Sequence, residues 1–322
     1  MIEVLNDNLN PYFNIACEEY ILKNFSQDCF ILWQNSPSII VGKHQNTLAE
    51  INQKFVTGNN LPVVRRISGG GTVYHDLGNL NFTFITTAKT EKIINFRYFT
   101  NPIIELLKDL GINATLNTRN NIFIDEKKIT GTAAHIFKNK VIHHGTLLFS
   151  TSITDLEKSI KNNSLEYSDK AIKSVTSTVT NIFDHLENKT TLYLFRELLR
   201  NKINQSFEIT EKHTLTEKDI ENITDLVNTK YNTWEWNYGY SPSYQFSRIA
   251  SDNLLRVSIA VKKGIIEKIV FSGQLSVCNE IKNIEKALTG IKHNKETVNN
   301  LFINSGFSFN EFSLDYLIKL IL

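Results

Sequence analysis

Apolar and polar residues repeat along this chain with two periods, and the changes of period mark its elements. Asn10-Pro11 opens a helix, since Asn caps well and Pro suits the first helical position. The helix runs to about Asn24, with Ile15, Ala16, Tyr20 and Leu22 on one side and Glu18 and Glu19 outside. Two β-type runs follow, Cys29–Trp33 and Ser38–Val41, joined by Asn35-Ser36-Pro37. Gly42-Lys43-His44-Gln45-Asn46 leads into a short helix through Gln53, which Gln45 and Asn46 are placed to cap. The β-type runs Leu61–Arg66 and Leu80–Ile85 flank three consecutive glycines. A helix is expected from about Thr100, with Asn101-Pro102 at its start and Gly111 past its end.

Ile112–Leu116, Asn121–Ile124 and Lys140–Phe149 read as strands, the second followed by the charged turn Asp125–Lys128. Ser164–Thr180 is polar and aperiodic, a loop of roughly 15 residues, and loops of that length are functional or disordered. Helices are expected over Thr191–Phe207 and Thr216–Tyr231, the second without a capping box. The aromatic string Trp234–Pro242 reads as packing at a domain junction. Beyond it, Leu254–Val261 and Ile265–Phe271 form a hairpin around Lys263-Gly264. Helical runs follow at about Ile281–Leu288, Asn294–Ser305 and Asn310–Ile321. Strands and helices alternate without a regular βαβ period, which predicts an α+β fold with a large mixed sheet and a small second domain.

Composition narrows the function without naming it. The 322 residues suffice for one large domain and a small one. Lys+Arg 35 against Asp+Glu 33 leaves +2, so charge makes no case for nucleic acid. No apolar run reaches the roughly 20 residues of a membrane span, and Met1-Ile2-Glu3-Val4 does not read as a signal peptide. Cys17, Cys29 and Cys278 are odd in number and far apart, as reduced thiols of a cytoplasmic protein would be.

The chemistry concentrates at Arg65-Arg66-Ile67-Ser68-Gly69-Gly70-Gly71-Thr72-Val73-Tyr74-His75-Asp76. Three glycines allow close backbone approach with N–H groups turned inward, and two arginines point to an anionic ligand, phosphate or carboxylate. No Gly-Lys-Ser/Thr follows, so it is not a P-loop. A strand rather than a helix comes next, so it is not the dinucleotide fingerprint. Two further strings stand out, Thr118-Arg119-Asn120-Asn121 with Lys127-Lys128-Ile129-Thr130-Gly131-Thr132-Ala133, and His143-His144-Gly145-Thr146-Leu147. Neighbouring strand side chains diverge, which argues against a two-His metal site and gives Lys127 to solvent if Lys128 points inward.

Together these strings resemble the lipoate–protein ligase A family, and the resemblance covers nearly the whole chain. It implies the mixed-sheet fold of biotin and lipoate ligases, with a catalytic domain at 1–243 and an accessory domain at 244–322. The family's essential lysine falls on Lys128, whose ammonium would stabilise phosphoryl oxygens as a carboxylate attacks the α-phosphate of ATP. The resemblance sets Arg65, Gly69, Gly70, Gly71 and His75 against the lipoyl carboxyl and phosphate. Thr72, Val73, Tyr74, Asn120, Asn121, Thr130, Gly131, Ala133 and His144 complete the substrate site, and His143 has a structural place. A satisfied core histidine is the competing reading for His144, and Trp33, Val73, Tyr74 and Phe84 either line an apolar lipoyl tunnel or belong to the core. ATP, Mg²⁺ and lipoate are implied. The partners implied are lipoyl-domain proteins: E2 subunits of 2-oxoacid dehydrogenases and the glycine-cleavage H protein. A monomer is expected.

Two departures qualify the resemblance. Asn121 stands where many members carry Asp, leaving Asn121 a poor Mg²⁺ ligand. Thr176 and Thr178 stand where bacterial ligases often have arginines. Both weaken lipoate activation and spare acyl transfer. The alternative is therefore a lipoyltransferase fed with preformed lipoyl-AMP or a lipoylated carrier. An octanoyltransferase would need a cysteine beside Lys128 or after the Gly-Thr strand, and there is none. The arginine–glycine loop typical of biotin ligases is also missing, and intact Lys128 argues against a non-catalytic lipoate-binding paralogue.

Overall fold

A computed structural model describes residues 1–88, 94–160, 166–273, 278–305 and 312–322. The chain divides into two compact units. The first comprises Met1–Lys43, Asn52–Lys161 and Ser174–Thr233. The second comprises His44–Ile51, Asn162–Lys173 and Trp234–Leu322. The break falls after Thr233, ahead of the aromatic string, and two earlier segments join the second unit.

Unit one is built on a six-stranded sheet in the order Thr132–Phe137, Lys140–Leu148, Asn79–Thr87, Cys29–Trp33, Ile2–Leu5, Glu211–Thr214. The first four are antiparallel and the last two pairings are parallel, so the sheet is mixed as expected. Glu211–Thr214 is too short and charged to read as a strand, and it forms by adding to the edge of Ile2–Leu5. Register sorts the side chains. Phe84 faces His143 and Phe30 across the sheet, whereas Thr83 faces His144 and Ile31. One sheet face is therefore aromatic. Phe84 stacks on Phe30 at 5.1 Å and on Phe99 at 4.8 Å, and all three are core residues.

The helix supplying Phe99 spans Phe96–Asp109 and starts earlier than expected. Asn95 caps it through the N–H of Tyr98, and Pro102 lies inside it. Burial of Phe99, Ile103, Leu106 and Leu107 outweighs the hydrogen bond that Pro102 deletes.

The other face is covered by helix Pro11–Asn24, capped by Asn10 as predicted. Glu18 and Glu19 do not lie outside: both are buried. Glu19 is held by Lys23, Lys230 and Tyr231, and these partners keep its carboxyl ionised despite burial. Helix Glu217–Leu226 does begin with a capping box, Thr216 with Asp219, and widens into a π-helical turn at Val227–Tyr231 that carries Lys230 and Tyr231.

Unit two is a four-stranded antiparallel sheet in the order Tyr167–Asp169, Tyr244–Ile249, Leu255–Lys262, Ile265–Gly273. The long polar loop thus contains a strand. The expected hairpin is present, with Lys263 and Gly264 both at positive φ in its turn. Helices Cys278–Leu288, Lys295–Ser305 and Leu314–Ile321 follow. The short helix expected through Gln53 is broken: Thr47–Glu50 belongs to unit two and Gln53–Gly58 to unit one. Asn46 makes no side-chain cap, and its amide donates to Asp169 instead. Trp234 packs inside unit two, so close to Gly264 that a Cβ there would lie 2.2 Å from the indole.

Candidate active site

The glycine loop hangs from a small sheet within unit one. Strand Ser38–Val41 sits between Val63–Arg65, parallel to it, and Val73–His75, antiparallel. Residues 66–72 must therefore cross from one edge strand to the other. Arg66 organises the crossing from below. Its Nη2 donates to the carbonyls of Gly69 at 2.6 Å and Gly71 at 2.8 Å, and Nη1 to Ile40 at 3.2 Å. Burial lowers the guanidinium to about 10, which leaves it charged at neutral pH. Gly70 has φ +87°, and a Cβ there would stand 3.0 Å from the Arg66 guanidinium, so glycine is required on both counts. Arg65 points to the other side and is fully buried, donating from Nη1 to the carbonyls of Gly42 and Lys43. Of the two arginines, Arg66 is the one whose guanidinium holds the carbonyls of the glycine loop.

Behind the loop stands His144, with both ring nitrogens engaged. Nε2 lies 2.6 Å from the Ser68 hydroxyl, and Nδ1 lies 2.9 Å and 3.0 Å from the two oxygens of Glu18. Thr83 also donates to Glu18 at 2.6 Å and accepts from the Trp33 indole at 2.9 Å. His143 points to the aromatic face, its ring tilted against Phe99 at 4.6 Å and accepting the Asn95 N–H. Burial holds it neutral, down at about 4. His75 is buried beside Trp33, with Nδ1 3.0 Å from the Asn35 amide and, among the described residues, no hydrogen-bond partner on Nε2. Burial and the Arg66 charge push it down to about 3, so it is a neutral imidazole.

Lys128 sits on the short strand Lys127–Lys128, paired with Phe123. Lys127 is exposed and Lys128 half-buried, as alternation predicts. The Lys128 ammonium reaches Gly131: a Cβ on that glycine would lie 3.9 Å from Nζ, and equally far from Thr146 Oγ1 and Val73 Cγ1. Burial, then the charge of Arg119, lowers its pKa. Gly131 is held by Thr146, whose Oγ1 accepts its N–H at 3.2 Å. Ala133 lies against Gly70. Asn120, at φ +60°, is tied to the same place by its carbonyl, which accepts from Thr132 at 2.9 Å. Asn117 accepts the N–H groups of Arg119 and Asn121. Thus the glycine loop, Val73, Lys128, Gly131 and Ala133 converge. Over them runs Ser174, whose Oγ accepts the Thr72 N–H at 3.0 Å.

Comparison with known proteins decides what this arrangement belongs to. Residues 10–204 match the lipoyl protein ligase A/B catalytic domain, and residues 243–321 the bacterial lipoate protein ligase C-terminus. Lipoate–protein ligase 1 of Staphylococcus aureus is 40% identical over 300 residues, covering 92% of this chain and 91% of its own. The chain belongs to the lipoate–protein ligase family.

Among solved structures, lipoate–protein ligase A bound with ATP superposes with TM-score 0.64 at 25% identity, over 74% of this chain and 98% of that one. The archaeal bipartite lipoate protein ligase of Thermoplasma acidophilum, studied with its E2 lipoyl domain, gives the same score and identity, over 74% and 96%.

Several expectations change in a lipoate ligase read from its structure. Phe84 is core, on the sheet face away from Thr83 and His144. Of the tunnel candidates, Trp33 and Val73 lie by the site, and Tyr74 alternates to the far side of its strand and is buried. Thr130 is buried, and among the described residues its hydroxyl has no hydrogen-bond partner. Mg²⁺ seeks carboxylate oxygens. Asn120 and Asn121 offer neutral amides, which are poorer Mg²⁺ ligands than carboxylates. Cys17 and Cys29 are buried with their thiols pushed up, Cys29 to about 12, so neither is a nucleophile.

Glu18 and Thr83 join the site without having stood out in the sequence, although Glu18 left a signal: it falls three residues after Ile15 and four before Leu22, a charge on the apolar stripe.

Proposed function

We propose that this protein is an ATP-dependent lipoate–protein ligase, with catalysis carried by residues 1–243 and an accessory role for 244–322. The lipoate carboxylate attacks the α-phosphorus of ATP. A P–O bond to pyrophosphate breaks as the acyl–phosphate bond forms. The ε-amine of an acceptor lysine then attacks the acyl carbon, AMP leaves, and the amine proton is lost to solvent. Lys128 supplies a fixed cation to the phosphoryl oxygens in the first step and to the departing AMP in the second. The amides of Gly69, Gly70, Gly71 and Thr72 line the anhydride, and neutral His75 offers its Nε2 to a polar group of the acyl adenylate. Asn120, Gly131 and Ala133 border the nucleotide, with Thr130 buried beneath them. Acceptors are lipoyl-domain proteins, namely E2 subunits and the glycine-cleavage H protein, met in the cytoplasm by a monomer.

The observation that carries this reading is the approach of the Lys128 ammonium to Gly131, beside a glycine loop that Arg66 shapes from below. Acceptor lipoylation tests it, run with lipoate plus ATP and, separately, with lipoyl-AMP supplied. Modification in both arms is expected, with lipoate-dependent ATP–pyrophosphate exchange. Lys128→Ala should lose about 10²-fold or more in the first arm. Modification in the second arm only would make the protein a transferase.

A further inference from the structure

Glu18, His144, Ser68 and Arg66 form one continuous chain of hydrogen bonds from the first helix to the glycine loop. The donors run in one direction. Arg66 Nε–H donates to Ser68 Oγ at 3.0 Å, which in turn donates to His144 Nε2 at 2.6 Å. His144 Nδ1–H then donates to Glu18. A neutral imidazole protonated on Nδ1 satisfies every group, so Glu18 dictates the tautomer that Ser68 needs. All four side chains are buried, a carboxylate at one end and a guanidinium at the other. The guanidinium end is the one that grips the carbonyls of Gly69 and Gly71. The carboxylate end also holds Thr83, which accepts from Trp33.

We infer that Glu18 is a positioning residue for the reaction: through His144 and Ser68 it fixes Arg66, and so fixes the shape in which residues 69–72 present their amides to the acyl phosphate. This rests on the proposed ligase reading. Ser68, His144 and Glu18 stand in the order of a nucleophilic triad. Ser68, however, has no exposed surface, and its oxygen accepts from Arg66, so it cannot reach a substrate carbonyl. The chain is a brace. Removing Glu18 leaves the guanidinium without its buried counter-charge and lets the imidazole turn. The loop then samples shapes that bind the phosphoryl group less well.

The test uses the full-length protein. Hydrogen exchange of the 66–72 amides is read without ligand, and steady-state lipoylation with lipoate and ATP is read alongside. In Glu18→Gln, exchange at 66–72 should rise about tenfold or more while strand 29–33 is unchanged. KM for ATP should rise by a similar factor, and by more than kcat falls. Glu18→Asp, which keeps the charge, should recover part of both. Ser68→Ala cuts the same chain at another link, so it gives the same readout if Glu18→Gln does not fold. Unchanged exchange at 66–72 in either folded variant overturns the inference. Failure of the wild-type protein to lipoylate an acceptor would instead remove the ligase reading, and the exchange result would stand by itself.

Discussion

Lys128 and Thr178 are joined through their backbones: the Lys128 N–H donates to the Thr178 carbonyl at 2.9 Å. The Lys128 carbonyl accepts from Thr180 at 3.1 Å, and Val179 bridges the same strand. At the other end of this segment Ser174 holds the Thr72 N–H. The segment therefore spans from the glycine loop to the lysine as a strap, although Thr176 and Thr178 bring it no charge. Ser174→Ala removes one partly buried hydrogen bond, worth about 1 kcal/mol. We expect limited proteolysis within 170–180 to accelerate about fivefold, with little change in global stability. An unchanged cleavage rate would mean that the Thr72–Ser174 bond does not hold the strap.

Arg119 lowers the pKa of Lys128, second to burial. Lys128 must be protonated to serve phosphoryl oxygens, so activity falls as pH rises through its pKa. Arg119→Ala removes a like charge, raises that pKa, and should move the basic limb of the pyrophosphate-exchange profile to higher pH. A limb that stays in place would assign it to another group.

His293 lies buried in unit two, accepting from Tyr244 at 2.7 Å and donating to the Ile321 carbonyl at 2.8 Å. Burial depresses its pKa from 6.5 to about 4. In the unfolded chain it takes a proton below about pH 6.5, whereas in the folded protein it does not. Its contribution is therefore complete above pH 6.5 and is lost as pH falls toward 4, about 3 kcal/mol in all. Urea titrations of wild type and His293→Gln between pH 7 and 4 should converge as pH drops. Parallel curves would contradict the assignment.

Gly264 combines φ +72° with the Trp234 indole at 2.2 Å from where a Cβ would stand. Gly264→Ala meets both backbone strain and an aromatic ring, so a loss of about 2–4 kcal/mol is expected in thermal unfolding. Gly58, with open space around it and no left-handed backbone, is the control: Gly58→Ala should stay within about 1 kcal/mol.

What sequence determined here is local. Strand boundaries at Cys29–Trp33 and Ser38–Val41, the Asn10 cap, the terminal hairpin and the glycine-loop string follow from neighbours within a few residues. Periodicity and turn chemistry act over that range. The alternation that separates Lys127 from Lys128 is equally local. The placement of Glu18 is not, because its partners His144 and Thr83 lie 126 and 65 positions away, and no spacing rule reaches that far.

Tertiary structure alone decided which face of the central sheet became the site. Register pairs Thr83 with His144 and Phe84 with His143, and a shift of one residue would exchange the two faces. The early start of helix Phe96–Asp109, around an interior proline, and the strand at Glu211–Thr214 were settled in the same way. Buried aromatic area and a sheet edge outweighed local propensity there. A charge within a helical stripe is costly unless paired, and only the folded chain supplies the pair.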